Sequence, residues 1–232
     1  IERFAREYAT TSPSLLRPLI GIEHHRNGAM QFRALACLPV LSGAWRHRGG
    51  GLARSTHALH FSVLDMNAVL MPQVYKPGTR TLNMRDLGKD LCDRTLTPPV
   101  QSLIVYGANP LVSMPNQRRI AEGLSREDLF TVVHDLVLTD TARHADYVLP
   151  ATTQLEHLDV HRSYGHTYAL MNHPAIAPVG EARPNTAIFR ALAQRMGFDE
   201  PCFADTDETL ARQAFHPDQV DFEQLQARGW VR

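Results

Sequence analysis

Three short apolar runs in the second half of the chain restrict its fold more than any other feature. Residues 103–106, 129–133 and 147–149 are rich in apolar or β-branched side chains. Between them lie segments with helical character, from Pro115 to Leu124 and from Thr139 to His144. Strands that alternate with helices are joined by crossover connections, which give a parallel sheet that is buried on both faces. The sequence therefore predicts an α/β fold with helices on both faces of the sheet.

The size and charge of the chain exclude several classes of protein. It has 232 residues, with 24 basic and 24 acidic side chains, so its formal net charge is zero. Zero net charge argues against general nucleic-acid binding, which needs a basic face. The longest apolar run, residues 34–41, is too short to span a membrane. We expect no nucleic-acid partner, no membrane span, and one large or two small domains.

The remaining patterns predict further elements. Residues 28–41 place apolar side chains at helical spacing, and a glycine-rich loop follows at 49–51. Residues 159–171 alternate as in a hairpin or a pair of edge strands. Asn185 to Met196 reads as an amphipathic helix that ends at Gly197. The three cysteines lie far apart, so we expect reduced, packed thiols rather than a metal or cluster site.

Two polar segments follow predicted strands. Gly107 to Pro110 comes after the first strand, and His134 with Asp135 comes after the second. Ligands bind beyond the carboxyl ends of parallel strands, so a nucleotide site is one interpretation, with an amide at Asn109 and a carboxylate at Asp135. The other interpretation is ordinary turn and capping chemistry. The spacing alone favours the second slightly.

The histidines give weaker signals. His157 and His161 have the spacing of a helical zinc pair, but the residues between them read as extended chain, so we predict no metal site. His24 and His25 precede a predicted helix start, where a ligand contact and exposed loop positions are equally consistent. No sequence motif for a resident nucleophile is present, so we predict no catalytic residue in this chain.

Several of these segments in order resemble the molybdopterin oxidoreductases, the group of formate dehydrogenases, nitrate reductases and dimethyl sulfoxide or polysulfide reductases. The resemblance rests on five stretches over residues 15–197: GIEHHRNG at 21–28, LPVLSGAWR at 38–46, VYGANP at 105–110, VVHD with TDTARHADYVLPA at 132–151, and PVGEAR at 178–183. The resemblance implies Rossmann-like parallel sheet layers that form parts of two central domains of the family.

The same resemblance implies domain boundaries and a cofactor site. Residues 1–98 would be the end of one central domain, residues 99–200 part of the second, and residues 201–232 a C-terminal extension or linker. The implied cofactor is molybdenum or tungsten on molybdopterin guanine dinucleotide. Its contacts would be Ile20 and His24 in the first domain and, in the second, Gly107, Asn109, His134, Asp135, His157 and Asn185. His24, His157 and Asn185 differ from the residue types that relatives often carry there.

The resemblance also implies partners outside these residues. The family carries a 4Fe-4S cluster and the metal ligand upstream and a pterin-binding barrel downstream, and this chain begins at Ile1 rather than methionine. We therefore expect a fragment, inactive alone, of a cytoplasmic or periplasmic oxidoreductase that uses an electron-transfer partner. The alternatives are a stand-alone α/β nucleotide-binding module without redox activity and an interaction scaffold without a ligand.

Overall fold

The computed structural model describes residues 1–54, 61–163 and 165–232. Residues 55–60 and Tyr164 lie outside the described residues. The first are predicted from the sequence to belong to the first domain, and Tyr164 lies within residues 159–171. The chain divides into two compact units, one formed by residues 1–62 and 163–167 and the other by residues 63–162 and 168–232. The boundaries at residues 98 and 200 stay a prediction.

The first unit contains two helices and a short parallel sheet. Helix α1 spans Glu2–Thr10 and α2 spans Gly28–Leu41. Strand β1, Leu15–Leu16, pairs in parallel with β2, Gly51–Leu52. Helix α2 has the predicted bounds, and Pro39 lies in its last turn. Its apolar side chains Met30, Leu38 and Leu41 are exposed, and so is Cys37. The prediction of packed thiols is therefore wrong for Cys37, because no described residue covers this face of the helix.

The predicted order of the three strands is confirmed in the second unit, but of the two helices predicted between them only the first forms as α-helix. Strands β3 (Ser102–Tyr106), β4 (Phe130–Asp135) and β5 (Tyr147–Pro150) form a parallel sheet in chain order. Helices α3 (Met66–Leu70) and α4 (Leu87–Cys92) precede this sheet. Helices α5 (Pro110–Ser113) and α6 (Gln117–Leu124) connect β3 to β4, and a 3-10 turn at Ala142–His144 lies between β4 and β5.

Both faces of this sheet contact helical segments. Val105 and Val133 point to one face and pack with Ala142 of the 3-10 turn, while Leu103 packs against the core of α4 and α6. Alternation along β3 turns Tyr106 to the opposite face. There its ring meets the ring of Phe189 edge to face at 4.9 Å between centroids. Phe189 lies in α7, which spans Asn185–Met196 as predicted and ends at Gly197 in the left-handed conformation.

The third sheet is antiparallel. Strands β6 (Asp159–His161) and β7 (Ala169–Asn172) form the predicted hairpin, and β8 (Trp230–Val231) pairs with β7. Helices α8 (Asp207–Gln213) and α9 (Phe222–Arg228) lie between α7 and β8. Their buried side chains form a core with Ala169 and Met171. The sequence pattern after Gly197 was too weak to predict these two short helices.

Candidate cofactor-binding edge

The carboxyl ends of the three parallel strands are joined by main-chain hydrogen bonds. The N–H of Gly107, after β3, donates to the carbonyl of His134 at 3.2 Å, and the N–H of Ala151, after β5, donates to the carbonyl of Asp135 at 3.0 Å. Ala151 also forms a parallel bridge with Arg183, two residues before α7 begins at Asn185. We call this region, Gly107–Asn109, His134–Asp135, Ala151–His157 and Arg183–Asn185, the carboxyl edge.

Six of the eight predicted contacts lie at the carboxyl edge. They come from four separate segments of the chain: Gly107, Asn109, His134, Asp135, His157 and Asn185. The other two, Ile20 and His24, lie in the first unit, in the turn before α2, where the Ile20 carbonyl accepts the N–H of His24 at 3.2 Å. That all eight bind one cofactor stays a prediction.

Gly107 occupies the turn directly after β3. Its φ angle is +57°, in the left-handed region that favours glycine, and a Cβ built on it would have no neighbour within 4 Å. The main chain at this turn is therefore open to a ligand that approaches closely.

Asn109 is held at both its main chain and its side chain. Its carbonyl accepts the N–H groups of Val112 and Ser113, which close the first turn of α5. Its Oδ1 accepts the hydroxyl of Thr141 at 2.8 Å and the N–H of Thr141 at 3.3 Å. Asn109 is half-buried, and no described residue bonds its Nδ2.

His134 is only 2% exposed. Its side chain lies on the same face of the sheet as that of Tyr106, its partner in the pairing of β3 with β4. Its Nδ1 lies 3.0 Å from the carbonyl oxygen of Leu149. Because a carbonyl only accepts, Nδ1 carries a proton, and in the neutral imidazole Nε2 is then an acceptor. Within the described residues this buried Nε2 has no partner. A buried acceptor without a donor is costly, so a donating group from a ligand or water would stabilise it.

Asp135 is half-buried at the end of β4. Its Oδ1 accepts the N–H of Leu136 at 2.7 Å, which fixes the carboxylate at the start of the following loop. The other oxygen has no partner among the described residues. It can accept a hydrogen bond from a ribose hydroxyl or from the N–H groups of a base edge.

His157 is oriented by the chain itself. Its Nδ1 lies 2.8 Å from the hydroxyl oxygen of the buried Thr152, and its Nε2 lies 3.9 Å from Oδ2 of Asp159. His161 belongs to β6, so it is not one helical turn from His157. No group of three or more potential metal-ligating side chains occurs among the described residues.

Glu156 stabilises the loop that carries His157 through hydrogen bonds. Its Oε2 accepts the N–H and the hydroxyl of Thr153, at 2.7 and 2.8 Å, and its Oε1 accepts the N–H of Val179 at 2.6 Å. The Thr153 and Val179 N–H groups, with the Thr153 hydroxyl, hold the pKa of the Glu156 carboxyl below its ordinary 4.5. Glu156 was not predicted from the sequence as a contact of the cofactor.

The depressed pKa of Glu156 predicts a pH-dependent contribution to stability. A carboxyl whose pKa is lowered by folding stabilises the folded state above its unfolded pKa and loses that effect as the pH falls. We expect Glu156→Gln to unfold at a lower urea concentration than the wild type. The gap between the two unfolding midpoints should be constant above about pH 5 and should narrow below it. Urea titrations between pH 7 and pH 3 measure the gap. A gap independent of pH would contradict the role of the carboxylate charge.

Gly28 allows the turn that carries Ile20 and His24 to close on α2. A Cβ at Gly28 would lie 2.7 Å from the backbone of Glu23 and of Ile22. We expect Gly28→Ala to cost about 1–3 kcal/mol, because the backbone must move to relieve the overlap. Urea unfolding followed through Trp45 in a Trp230→Phe background reports on this unit. Gly21→Ala is the control, since a Cβ there has no neighbour within 4 Å; equal midpoints for the two variants would contradict this packing.

None of the helices in the described parts of the chain has the length and apolarity that a membrane crossing requires.

Comparison with known proteins identifies the family of the chain and several of its relatives. A family model described as molybdopterin oxidoreductase matches residues 18–195. The chain is 43% identical over 239 aligned residues to the probable oxidoreductase YoaE of Bacillus subtilis (strain 168), covering 100% of this chain and 35% of that protein. It is 25% identical over 219 residues to the dimethyl sulfoxide reductase DmsA of Escherichia coli (strain K12), covering 86% of this chain and 26% of DmsA.

A solved structure shares the fold. Acetylene hydratase from Pelobacter acetylenicus superposes with a TM-score of 0.67 over 99% of this chain and 36% of that one, at 23% identity. The chain thus spans about a third or less of the length of these proteins. Because the family model covers more than half of its residues, the chain belongs to the molybdopterin oxidoreductase family.

Proposed function

We propose that this chain is a central part of a larger molybdenum- or tungsten-dependent oxidoreductase and that its carboxyl edge binds molybdopterin guanine dinucleotide. The observation that carries the proposal is that four predicted contacts lie at or directly after the ends of β3 and β4, in a member of this family. The other two of this unit, His157 and Asn185, lie on segments that Thr152 and Arg183 join to the end of β5. Ligands of parallel sheets bind at this edge.

The polar groups at the carboxyl edge fit a dinucleotide. Asn109 offers a donor at Nδ2, Asp135 offers a carboxylate oxygen, and His134 offers a buried acceptor at Nε2. The open main chain at Gly107 suits the close approach of a phosphate. When bound, the cofactor supplies two-electron redox chemistry at its metal, while the protein binds and orients it.

The length of the relatives and the surface of α2 support a larger polypeptide. The chain corresponds to 35% of YoaE. Met30, Leu38 and Leu41 form an exposed apolar face on α2. Exposed apolar patches on a folded protein commonly mark surfaces that contact another domain or protein. We propose that further domains of the same polypeptide, including one with a 4Fe-4S cluster, complete the enzyme, and that residues 1–232 alone have no oxidoreductase activity.

Metal and nucleotide analysis of the full-length polypeptide tests the proposal. The polypeptide is produced in a host that makes the guanine dinucleotide, with molybdate or tungstate supplied. We expect the purified protein to contain molybdenum or tungsten and to release GMP on acid hydrolysis. A folded protein that contains neither metal nor GMP would refute the proposal.

A binding measurement distinguishes the alternative of a stand-alone nucleotide-binding module. If residues 1–232 hold only part of a cofactor site, they should bind GDP weakly, which titration followed by NMR detects. Binding at about micromolar strength or tighter by these residues alone, at about −8 kcal/mol, would favour the stand-alone module.

A further inference from the structure

Thr141 is a fully buried residue that contacts the predicted ligand residue Asn109 from a distant part of the chain. It is 0% exposed and lies in the loop between β4 and β5, whereas Asn109 follows β3. Three hydrogen bonds link the two loops. The N–H of Leu111 donates to the Thr141 hydroxyl oxygen at 3.1 Å, and the hydroxyl and N–H of Thr141 both donate to Oδ1 of Asn109.

These hydrogen bonds allow only one orientation of the Asn109 side-chain amide. A main-chain N–H only donates, so the atom of Asn109 that faces the Thr141 N–H must be the acceptor Oδ1. The Thr141 hydroxyl donates to the same atom, because Oδ1 can only accept. A flipped amide would bring its NH2 group against the Thr141 N–H, which can only donate. Nδ2 is therefore turned away from Thr141, and it is not among the buried unpartnered atoms of the described residues.

We propose that Thr141 is a positioning residue that locks the Asn109 amide with its Nδ2 donor facing the carboxyl edge, so that this position selects a hydrogen-bond acceptor of the ligand. The proposal rests on the proposed function, in which the ligand is a guanine dinucleotide. Its phosphate and carbonyl oxygens are acceptors of the kind that Nδ2 would select.

Two variants separate the donor from its positioning. Asn109→Asp keeps an oxygen that can accept both bonds from Thr141 but replaces the Nδ2 donor with a second acceptor. Thr141→Val keeps the shape of the buried side chain but removes the hydroxyl. We expect the full-length protein to lose cofactor, measured as GMP retained during dialysis, at least about tenfold faster with Asn109→Asp and about three- to tenfold faster with Thr141→Val. Thr141→Ser, which retains the hydroxyl, should lose cofactor as slowly as the wild type does.

Thr139→Val is the matched control. The Thr139 hydroxyl accepts the N–H of Ala142 at 3.1 Å in the same loop and has no bond to Asn109. This variant should lose some stability but retain cofactor as the wild type does. In an Asn109→Ala background, Thr141→Val should cause no further acceleration, because a positioning residue acts only through the group it positions.

The outcomes separate the inference from the proposed function. A wild type without GMP or metal means that the proposed function fails. A wild type that holds cofactor, with Thr141→Val no faster in losing it than Thr139→Val, overturns the inference alone. NMR of residues 1–232 supplies a readout that does not need the cofactor. The Asn109 side-chain NH2 signals should have the same chemical shifts in the wild type and in Thr141→Ser, and should move toward the shifts of an unrestrained asparagine in Thr141→Val; identical signals in all three would also overturn it.

Discussion

Replacing Asp135 with asparagine is expected to accelerate loss of GMP from the full-length protein by about 10- to 150-fold, the range for one hydrogen bond to a charged group. Asparagine keeps an oxygen that can accept the Leu136 N–H, which the carboxylate binds at 2.7 Å. It replaces the free carboxylate oxygen with an NH2 group, which cannot accept a hydrogen bond from a base edge or a ribose. The change therefore removes the ligand contact and leaves the local loop contact in place.

Asp140→Asn is the control for Asp135. Asp140 is exposed in the same loop and forms no hydrogen bond or ion pair among the described residues. The substitution Asp140→Asn alters the net charge by the same amount as Asp135→Asn but lies outside the carboxyl edge. Dialysis followed by GMP and metal analysis compares the two variants. Equal retention of cofactor would show that Asp135 does not contact it.

Replacing Leu91 with alanine is expected to lower the free energy of unfolding by about 2–5 kcal/mol, the range for large-to-small changes in a core. Leu91 is 0% exposed and packs with Leu111 and Ile120. A Cβ added at Gly123 would lie 2.5 Å from the Leu91 side chain, so α4 and α6 are in close contact there. The same cluster contacts Leu103 of β3, which leads to Gly107 and Asn109.

Urea unfolding followed through Trp230 in a Trp45→Phe background measures the effect, because Trp230 lies in the same unit as Leu91. Leu136→Ala is the control, since this leucine is exposed and its truncation should change stability by no more than about 0.5 kcal/mol. Coincident unfolding curves for the two variants would contradict the packing described for Leu91.

The long patterned elements of the fold were predictable from the sequence. The three apolar runs identified β3, β4 and β5 in their order, and helical spacing identified α2 and α7 with their observed bounds. Helices α8 and α9 were missed because each has seven residues, too few for a clear period. Their capping residues were the available signal: Thr206 and Asp221 each accept an N–H of the first turn.

Two predicted helices differ in their bounds from the helices observed. The sequence placed a helix start at Pro115, whereas Pro110 starts α5 and α6 begins at Gln117. Asn116 lies between them with φ of +61°, a left-handed conformation that breaks the helical path. Similarly, residues 139–144 form only one 3-10 turn at Ala142–His144.

What the sequence by itself determined is the strand order, and with it the edge to which Gly107, Asn109, His134 and Asp135 belong. Strand order follows from local patterns and from the rule that parallel strands need crossovers. Only the tertiary structure decided which way the amide of Asn109 and the imidazole of His134 face. Those orientations depend on Thr141 and Leu149, which approach from other strands and loops, and hydrogen bonds between residues distant in the chain leave no periodic pattern in the sequence.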